Sequence, residues 1–405
     1  MVDATALGLR AEAMINTLAG ISAEPDRLVR LFLSPEHRRA ADQVTQWMRE
    51  AGLDVSEDAL GTVRGRAGQG PRLLIGSHID SVIDAGNYDG PLGVIAGILA
   101  AGYFGGKPQV PIDVLAFGDE EGSRFPSTLS SSSACVGAFE SDTLDYADRA
   151  GITLGDALRR YGKNTADIAK AGYRPADVLG YVEVHIEQGP LLEAENQPLG
   201  VVTGIVGQSR FRVTVTGEAG HAGTVPMRMR RDALAGAAEM TLLAERIARA
   251  GDEMVATVGR LDLVPGATNI IPAQVTFTVD LRCMDDAARA AAQAQFEQEA
   301  RAIAASRRLG IAVEPFHAVD AVRCDARLQD TIAASIADVG GRALRLPSGA
   351  GHDAQMMARL CPSAMMFVRC RGGISHNPAE YASPADMGLA VAALIRFIER
   401  FKPGS

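Results

Sequence analysis

The sequence contains few cysteines, and they are scattered. Five of the 405 residues are cysteine, at positions 135, 283, 324, 361 and 370. No two of them form a C-x-x-C pair, and an odd number cannot all be joined in disulfides. This pattern argues against a secreted fold stapled by disulfides and favours a reducing compartment.

The sequence also lacks an apolar run that would cross a membrane. The longest run, residues 93–104, is interrupted by glycine and soon followed by Lys107, well short of the ~20 residues that a spanning helix needs. The opening residues, MVDATALGLR, include Asp3 and lack the apolar centre of a secretory signal. We therefore expect a soluble, cytoplasmic protein without a membrane partner.

The sequence also lacks an excess of positive charge. Lys and Arg number 40 against 49 Asp and Glu, which gives a formal net charge of -9. Such a chain lacks the electrostatic footprint of a nucleic-acid-binding protein and is repelled by anionic membranes. The remaining composition, 47% hydrophobic and 22% charged, is that of a globular protein, and the length indicates roughly two or three domains. We therefore expect a small-molecule substrate and no nucleic acid.

Hydrophobic periodicity predicts an α/β fold in the first part of the chain. Apolar residues recur every three or four positions over 36–51, as in an amphipathic helix that Gly52 ends. A short apolar strand over 72–78, a buried helix over 91–104 and a second buried strand over 112–118 follow. In such sheets ligands bind beyond the carboxyl ends of the strands. Residues that follow the two strands should therefore lie side by side.

A different pattern begins near Arg210. Alternating strands and two long amphipathic helices follow in the order β-α-β-β-α-β, which is the ferredoxin-like signature. After Asp320 the α/β pattern returns. The sequence thus predicts an α/β catalytic domain with a central mixed sheet, formed by residues 1–207 and 320–405. An inserted ferredoxin-like α+β domain of residues 208–319 interrupts it.

Donor side chains follow the predicted strands. They are His78, Asp80 and Asp89 after the first, Glu120 and Glu121 after the second, and His185 and His376 further along. Imidazole and carboxylate groups suit divalent cations, and enough are present for two ions that share a carboxylate ~3.5–4 Å apart. We expect Asp80 to accept the second ring N–H of His78. One of the adjacent glutamates can bind a metal while the other takes a proton from water, and spacing leaves open which does which.

Long motifs resemble those of one family. In family order the chain carries GSHIDSVIDAGNYDGPLGV, DEEGSRFPSTL, HIEQGP, VTGEAGHAGTVPM, PGATNIIP, SGAGHDAQMMA and GGISHNPAEY. These motifs are similar to the M20 metallopeptidase-like amidohydrolases, in the hydantoinase/carbamoylase branch with allantoate amidohydrolases, N-carbamoyl-L-amino acid hydrolases and β-ureidopropionases. The resemblance runs from about Glu36 to the C-terminus. It departs at Ser131 to Ser133, where the family commonly has Gly-Ser and a basic residue.

The resemblance implies a zinc-peptidase type of fold with two divalent metal ions, either Zn²⁺ or Mn²⁺, with Co²⁺ as a further choice. It implies that one ion is bound by His78, Asp89 and His185. The other ion is bound by Asp89, Glu121 and His376, so that Asp89 bridges the two.

For catalysis, the resemblance implies that Glu120 is the general base. It further implies that the inserted domain is a lid, that it forms a homodimer, and that it supplies substrate-binding side chains, namely Gln208, His221, Asn269 and Arg282. His221 also suits a developing oxyanion, and the guanidinium of Arg282 suits a substrate carboxylate. Structural alternatives stay open, because Arg282 can instead pair with Asp280 or Asp285, and Asn269 can be a turn residue.

Other conspicuous residues have structural interpretations. We expect His37 to lie on the exposed face of the first helix and His317 to lie in a strand. His352 is expected in the wall of the active site rather than as a ligand. The serines from Ser127 to Ser133 have no G-x-S-x-G context and are expected to cap a loop.

The sequence therefore predicts a metal-dependent amidohydrolase that cleaves the ureido C–N bond of a small N-carbamoyl acid. The stretches TVPMRMRRDAL and MFVRCRGGISHNPAEY favour allantoate. N-carbamoyl-L-amino acid hydrolase and β-ureidopropionase are alternatives in the same branch. A dipeptidase or aminoacylase of the same fold is a rival, against which His185 in HIEQGP argues. A non-catalytic binding module is another, against which the complete donor set argues.

Overall fold

The computed structural model describes residues 2–403. The chain divides into two compact units: the first extends to Thr203 and resumes at Cys324, and the second is Gly204–Arg323. The α-helices of the described residues are α1 (Ala4–Ala19), α2 (Pro35–Glu50), α3 (Pro91–Tyr103), α4 (Ser130–Cys135), α5 (Leu154–Arg160), α6 (Leu191–Ala194), α7 (Ala233–Ala250), α8 (Asp286–Ser306), α9 (Ala326–Asp338), α10 (Asp353–Met357) and α11 (Pro384–Arg400). The β-strands are β1 (Asp54–Glu57), β2 (Val63–Ala67), β3 (Arg72–His78), β4 (Ile112–Phe117), β5 (Val178–Ile186), β6 (Leu199–Ile205), β7 (Gly207–Thr216), β8 (Gly220–His221), β9 (Val255–Val264), β10 (Ile270–Ile271), β11 (Gln274–Cys283), β12 (Gly310–Val319), β13 (Val322–Arg323), β14 (Leu344–Ser348) and β15 (Ser363–Val368).

The first unit is built on a mixed sheet. Its strands lie in the order β1-β2-β4-β3-β5-β15-β6, and β14 pairs with β6. Strands β4, β3, β5 and β15 are parallel neighbours, whereas β1, β2 and β6 run antiparallel to the strands beside them. The mixed α/β sheet predicted from the sequence is confirmed. The carboxyl ends of four parallel strands therefore meet at one edge.

Helix α3 lies in the core of this unit. It reads PLGVIAGILAAGY, and all but its last two residues are buried, because a helix that is apolar on every side is stable only inside a protein. Across residues 2–403, no helix is both long and apolar enough to cross a bilayer.

Helices α1 and α11 pack together through small residues. A Cβ on Gly8 would lie 1.9 Å from the carbonyl oxygen of Pro384, and a Cβ on Gly388 would lie 2.0 Å from that of Ala4. The two backbones are therefore in direct contact, and alanine at either glycine would push the helices apart.

Helix α2 includes a residue for which the prediction was wrong. Ser34 caps the helix by accepting the backbone N–H of His37 at 3.1 Å, a contact worth about 1 kcal/mol. His37 itself is fully buried rather than exposed. Its Nδ1 lies 2.9 Å from the hydroxyl of Tyr161, and its ring meets Phe32 edge-on. Periodicity assigned it to the polar face because residues distant in sequence cover that face.

The second unit has the element order β7, α7, β9, β11, α8 and β12. Its sheet has the strand order β12-β7-β11-β9 and is antiparallel throughout. Burial alternates along β11, and Phe211, Phe277 and Phe296 are among the buried residues that pack with the two helices. This is the β-α-β-β-α-β arrangement predicted from the sequence. The short strands β8 and β10 pair separately.

Candidate metal centre

Four neighbouring strands bring polar side chains to the same edge of the first unit's sheet. His78 ends β3 and pairs in register with the last residue of β4. Glu120 and Glu121 follow β4, His185 is the penultimate residue of β5, and His376 lies in the loop after β15. The residues after β3 and β4 are neighbours, as predicted.

Asp89, in the loop between β3 and α3, lies in the middle of this cluster. Its Oδ1 is 3.4 Å from His78 Nε2 and 3.1 Å from His185 Nε2. Its Oδ2 is 3.3 Å from His376 Nε2, which is 3.4 Å from Glu121 Oε2. Two groups of three residues therefore share one carboxylate, with the ligand atoms of each group within 4.8 Å of one another. These are the five residues proposed as ligands from the sequence, and their metal binding stays a prediction.

Two buried ring nitrogens suit a cation. His78 Nδ1 lies 3.3 Å from the carbonyl oxygen of Asp80, and His185 Nδ1 lies 2.9 Å from that of Ile186. A carbonyl only accepts, so each Nδ1 carries the hydrogen, and in the neutral ring each Nε2 presents a lone pair. Within the described part of the chain, neither buried Nε2 atom has a hydrogen-bond partner, although Asp89 is close to both. Lone pairs placed in this way fit a divalent cation.

The electrostatics of the cluster also fit cations. Burial and the adjacent Asp89 carboxylate raise the pKa of Glu121 to about 7, and burial raises the pKa of Glu120 well above its usual value. The interaction with Asp89 raises the pKa of His376 to about 9. Asp89 is buried, yet the surrounding imidazoles hold its pKa well below the usual range. Two divalent ions would offset the repulsion among these carboxylates.

Asp80 joins the first histidine to the pair of glutamates. Its Oδ1 is 3.5 Å from His78 Nδ1, so the carboxylate and the carbonyl of Asp80 both face the second ring N–H. Its two carboxylate oxygens also accept the backbone N–H groups of Glu120 and Glu121, each at 3.3 Å. The expected contact with His78 is therefore only part of its environment, because Asp80 also holds the backbone of both glutamates.

The two glutamates face different histidines. Glu120 Oε2 lies 3.9 Å from His78 Nε2, whereas Glu121 Oε2 lies 3.4 Å from His376 Nε2. Glu121 completes a group with Asp89 and His376. Because both glutamates also form a group with His78, the assignment of Glu121 as the ligand and Glu120 as the base stays a prediction.

Serines bind the residue that precedes the proposed base. Asp119 has a left-handed backbone with φ of 62°, and its Oδ2 accepts the hydroxyl of Ser127 at 3.2 Å and that of Ser130. The segment expected to be a loop cap thus contains helix α4, and two of its hydroxyls hold the turn that leads into Glu120.

Gly90 allows Asp89 to approach His78. Its φ of 84° is left-handed, and a Cβ there would lie 2.5 Å from ring atoms of His78. Glycine is required both for the backbone conformation and for space. Sequence reasoning did not single it out, although Asp-Gly before a helix is a recognisable turn signal.

Three polar residues that sequence reasoning missed surround Asp89. Gln188 Nε2 and Ser375 Oγ lie 2.7 and 2.6 Å from Asp89 Oδ2. Glu380 accepts the backbone N–H groups of Tyr88 and Asp89. In the sequence, only their positions within the motifs HIEQGP and GGISHNPAEY could have indicated a role for these residues.

His352 is a buried neighbour of His185. The ring centroids are 4.4 Å apart, and His352 Nε2 lies 2.7 Å from Ser348 Oγ. Burial lowers the pKa of His352 well below its usual value, so the ring is neutral. His352 also groups with Glu183 and His185 as possible ligands, and its place in the active-site wall stays a prediction.

The four proposed substrate-binding residues belong to the second unit, where they form two pairs. Asn269 adjoins His221, because the Asn269 carbonyl accepts the N–H of Ala222 at 3.0 Å. His221 Nδ1 accepts the N–H of Gly223 at 3.0 Å, which places the ring hydrogen on Nε2. His221 is therefore prepared to donate a hydrogen bond.

Gln208 and Arg282 form the second pair. They oppose each other in register on β7 and β11, so their side chains share a face of the sheet. Arg282 donates from Nε and Nη2 to the two oxygens of Asp280, at 3.0 and 2.8 Å, and Arg210 donates to Asp280 at 2.9 Å. Although burial opposes the change, the two arginines lower the pKa of Asp280. The ion pair that the sequence left open is thus present, and it orients the guanidinium.

Comparison with known proteins agrees with this architecture. Residues 74–400 match the model described as peptidase family M20/M25/M40. An allantoate deiminase of Arabidopsis thaliana is 42% identical over 96% of this chain and 81% of its own. An N-carbamoyl-L-amino acid amidohydrolase of Geobacillus stearothermophilus is 38% identical over 93% and 94%. A solved hydantoinase/carbamoylase family amidase from Burkholderia multivorans superposes with a TM-score of 0.91 at 35% identity, over 96% of this chain and 97% of its own.

A mixed sheet with imidazoles and carboxylates at the carboxyl ends of its strands is typical of a metal-dependent hydrolase. The chain belongs to peptidase family M20/M25/M40 and, within it, to the hydantoinase/carbamoylase amidases.

Proposed function

We propose that this protein is a metal-dependent amidohydrolase that cleaves the ureido C–N bond of a small N-carbamoyl acid, with allantoate as the first candidate. One observation carries the proposal: two ligand groups share Asp89 beside the largely buried carboxylate of Glu120. The similarity to an allantoate deiminase supports allantoate, and the similarity to an N-carbamoyl-L-amino acid amidohydrolase supports N-carbamoyl-L-amino acids as the second candidate.

Two divalent ions fit the donor set. His78, Asp89 and His185 would hold one ion, and Asp89, Glu121 and His376 would hold the other. When bound, such ions act as Lewis acids and lower the pKa of water towards about 7. Zn²⁺, Mn²⁺ and Co²⁺ all accept these donors.

The residues of the chain then have distinct tasks. Glu120 accepts a proton from the attacking water and passes it to the leaving nitrogen. His221 donates Nε2–H to the developing oxyanion, and Arg282 binds the substrate carboxylate, assisted by Gln208 and Asn269. Water adds to the ureido carbon, and the C–N bond breaks as the leaving nitrogen takes up the proton. The carbamate that remains breaks down to carbon dioxide and ammonia.

A homodimer through the second unit is part of the proposal. Strand β9 lies at an edge of the antiparallel sheet, and Val255, Leu261 and Leu263 on it are exposed. An exposed apolar edge strand is a template for pairing with another chain. Sedimentation analysis of the protein and of Leu263→Lys tests this, because a charge at the edge should favour the monomer.

We also propose a cytoplasmic location, which the five free cysteines of the described residues support.

A substrate screen tests the function. Protein stripped with a chelator and reloaded with Zn²⁺, Mn²⁺ or Co²⁺ is assayed for ammonia release from allantoate, N-carbamoyl-L-amino acids and β-ureidopropionate, and for amino-acid release from a panel of dipeptides. We expect turnover of a ureido acid and none of the dipeptides, with Glu120→Gln as the inactive control. Metal-loaded protein that leaves every ureido acid intact would overturn the proposal, and selective dipeptide cleavage would favour the peptidase.

A further inference from the structure

We propose that Glu380 is a positioning residue for the shared carboxylate of Asp89. It fixes the Asp89 backbone and, through Ser375, the Asp89 side chain, so that the two carboxylate oxygens keep facing different ligand groups. The inference rests on the proposed metal-binding role of Asp89.

Glu380 holds the backbone at Asp89 directly. Its side chain is almost completely buried. Its Oε1 accepts the N–H of Tyr88 at 2.7 Å and that of Asp89 at 3.1 Å. These two bonds to one oxygen fix the orientation of the peptide that joins Tyr88 and Asp89.

The other oxygen of Glu380 reaches the Asp89 side chain through a hydroxyl. Ser375 Oγ lies 2.9 Å from Glu380 Oε2 and 2.6 Å from Asp89 Oδ2. The hydroxyl has one hydrogen, so when it donates to Asp89 the contact with Glu380 needs a hydrogen on Oε2. Ser375 directly precedes His376, so one short segment supplies both a proposed ligand and a support for the shared carboxylate. Gln188 Nε2 is a second support, at 2.7 Å from the same Asp89 oxygen.

Gly86 provides the space that Glu380 occupies. A Cβ on Gly86 would lie 2.3 Å from Glu380 Cβ and Cδ and 2.4 Å from its Oε1, closer than atoms in a folded protein approach. The φ of Gly86 is not among the positive values of the chain. Alanine at this position therefore tests space alone, without added backbone strain.

A shared carboxylate needs this control because its oxygens are not equivalent. Oδ1 faces His78 and His185, and Oδ2 faces His376. Rotation of the carboxylate would misalign both groups at once. Loss of such outer partners typically reduces metal affinity or activity by about 10–100-fold.

Zn²⁺ affinity tests the inference. The full-length protein is stripped and titrated with Zn²⁺ in competition with a fluorescent chelator. Glu380→Ala should bind Zn²⁺ roughly 10–100-fold more weakly, and Gly86→Ala should weaken binding in the same direction. Glu380→Gln should restore affinity close to that of the parent, because its Oε1 keeps both backbone bonds and its amide donates to Ser375 Oγ.

Asp58→Ala is the matched control for a general loss of stability. One oxygen of Asp58 accepts the N–H groups of Leu60 at 2.8 Å and Thr62 at 3.0 Å in the turn between β1 and β2. Its removal therefore also deletes two backbone bonds to a carboxylate, together with the buried ion pair of Asp58 with Arg64 at 2.6 Å. We expect Asp58→Ala to lower the thermal midpoint of the metal-free protein while Zn²⁺ affinity stays at the parental value.

Each outcome decides the inference. Parental Zn²⁺ affinity of a folded Glu380→Ala variant overturns it and leaves the proposed function intact, whereas a parent protein that binds no divalent ion overturns both. If Glu380→Ala fails to fold, Gly86→Ala decides the question, because it displaces Glu380 without removing a group that contacts Asp89. Weakened Zn²⁺ binding by Gly86→Ala then supports the inference, and parental binding overturns it.

Discussion

Asp80 accepts a hydrogen bond from the backbone N–H of Glu120, at 3.3 Å from its Oδ1. The same oxygen faces the Nδ1 atom of His78 at 3.5 Å. One buried carboxylate therefore connects a proposed ligand on β3 with the proposed base after β4. The positions of the proposed ligand and the proposed base therefore depend on each other through this residue.

Replacement of Asp80 by asparagine should disturb both partners. The introduced amide keeps one acceptor oxygen but places an NH₂ group against a backbone N–H, and a buried donor without a partner costs about 1–3 kcal/mol. We expect Asp80→Asn to lose roughly 10–100-fold in turnover or metal affinity. Steady-state kinetics and bound-metal analysis check this, and parental values for both would show that Asp80 positions neither group.

Glu120→Gln should separate catalysis from metal binding. The amide cannot accept a proton, and general-base catalysis contributes about 10²–10⁴-fold, so kcat should fall by that factor while both ions stay bound. Elemental analysis and kcat are the measurements. The same substitution at Glu121 is the control and should lower metal content. Glu120→Gln activity within tenfold of the parent would exclude Glu120 as the base.

Arg282→Ala should weaken binding of the substrate carboxylate. Hydrogen bonds to charged groups contribute about 1.5–3 kcal/mol, so KM should rise by roughly 10–100-fold for ureido acids and stay unchanged for a ureido compound without a carboxylate. Arg212→Ala, on the neighbouring strand β7 and paired with Glu314 at 3.8 Å, is the control. Equal KM values for parent and Arg282→Ala would contradict a role of Arg282 in binding the substrate carboxylate.

His37 should make the stability of the protein dependent on pH. Burial lowers the pKa of His37 to about 3, against about 6.5 in the unfolded chain. Between these values the unfolded state binds a proton that the folded state does not, so stability falls as pH decreases below 6.5. Relative to His37→Asn, the parent should lose about 1.4 kcal/mol per pH unit. Denaturant unfolding of the metal-free proteins at pH 7.5, 6.0 and 5.0 measures this, and a pH-independent difference would contradict it.

Local sequence patterns were sufficient to predict the helices and strands that surround the site. Periodicity predicted β3, α3 and β4 within about one residue of their ends, because each contains a short apolar run bounded by turn residues. The five proposed ligands stand in long motifs at the carboxyl ends of strands or in the loops that follow them, where parallel-sheet geometry brings them together. The elements of the second unit could be predicted equally well, because polar and apolar residues alternate along its strands and its helices are amphipathic.

The supports of the site could not be predicted in this way. Glu380 meets Tyr88 and Asp89 across about 290 positions of sequence, and no local period encodes such a contact. His37 was assigned to the wrong face for the same reason, because Tyr161 covers it from 124 positions away. Helix α1 and the partly polar strands β1 and β2 were not singled out, because their patterns do not distinguish a packed element from a surface segment.

The split of the first unit around Gly204–Arg323 has a consequence for biosynthesis. The second unit is continuous in sequence, so it can fold while the ribosome is still making the rest of the chain, at about 5–20 residues per second. Strand β15, His376 and helix α11 all follow it. The sheet of the first unit therefore gains a central strand, and the cluster its last histidine, only near the end of translation. Newly made chains should acquire metal late, after the inserted unit has already reached its native state.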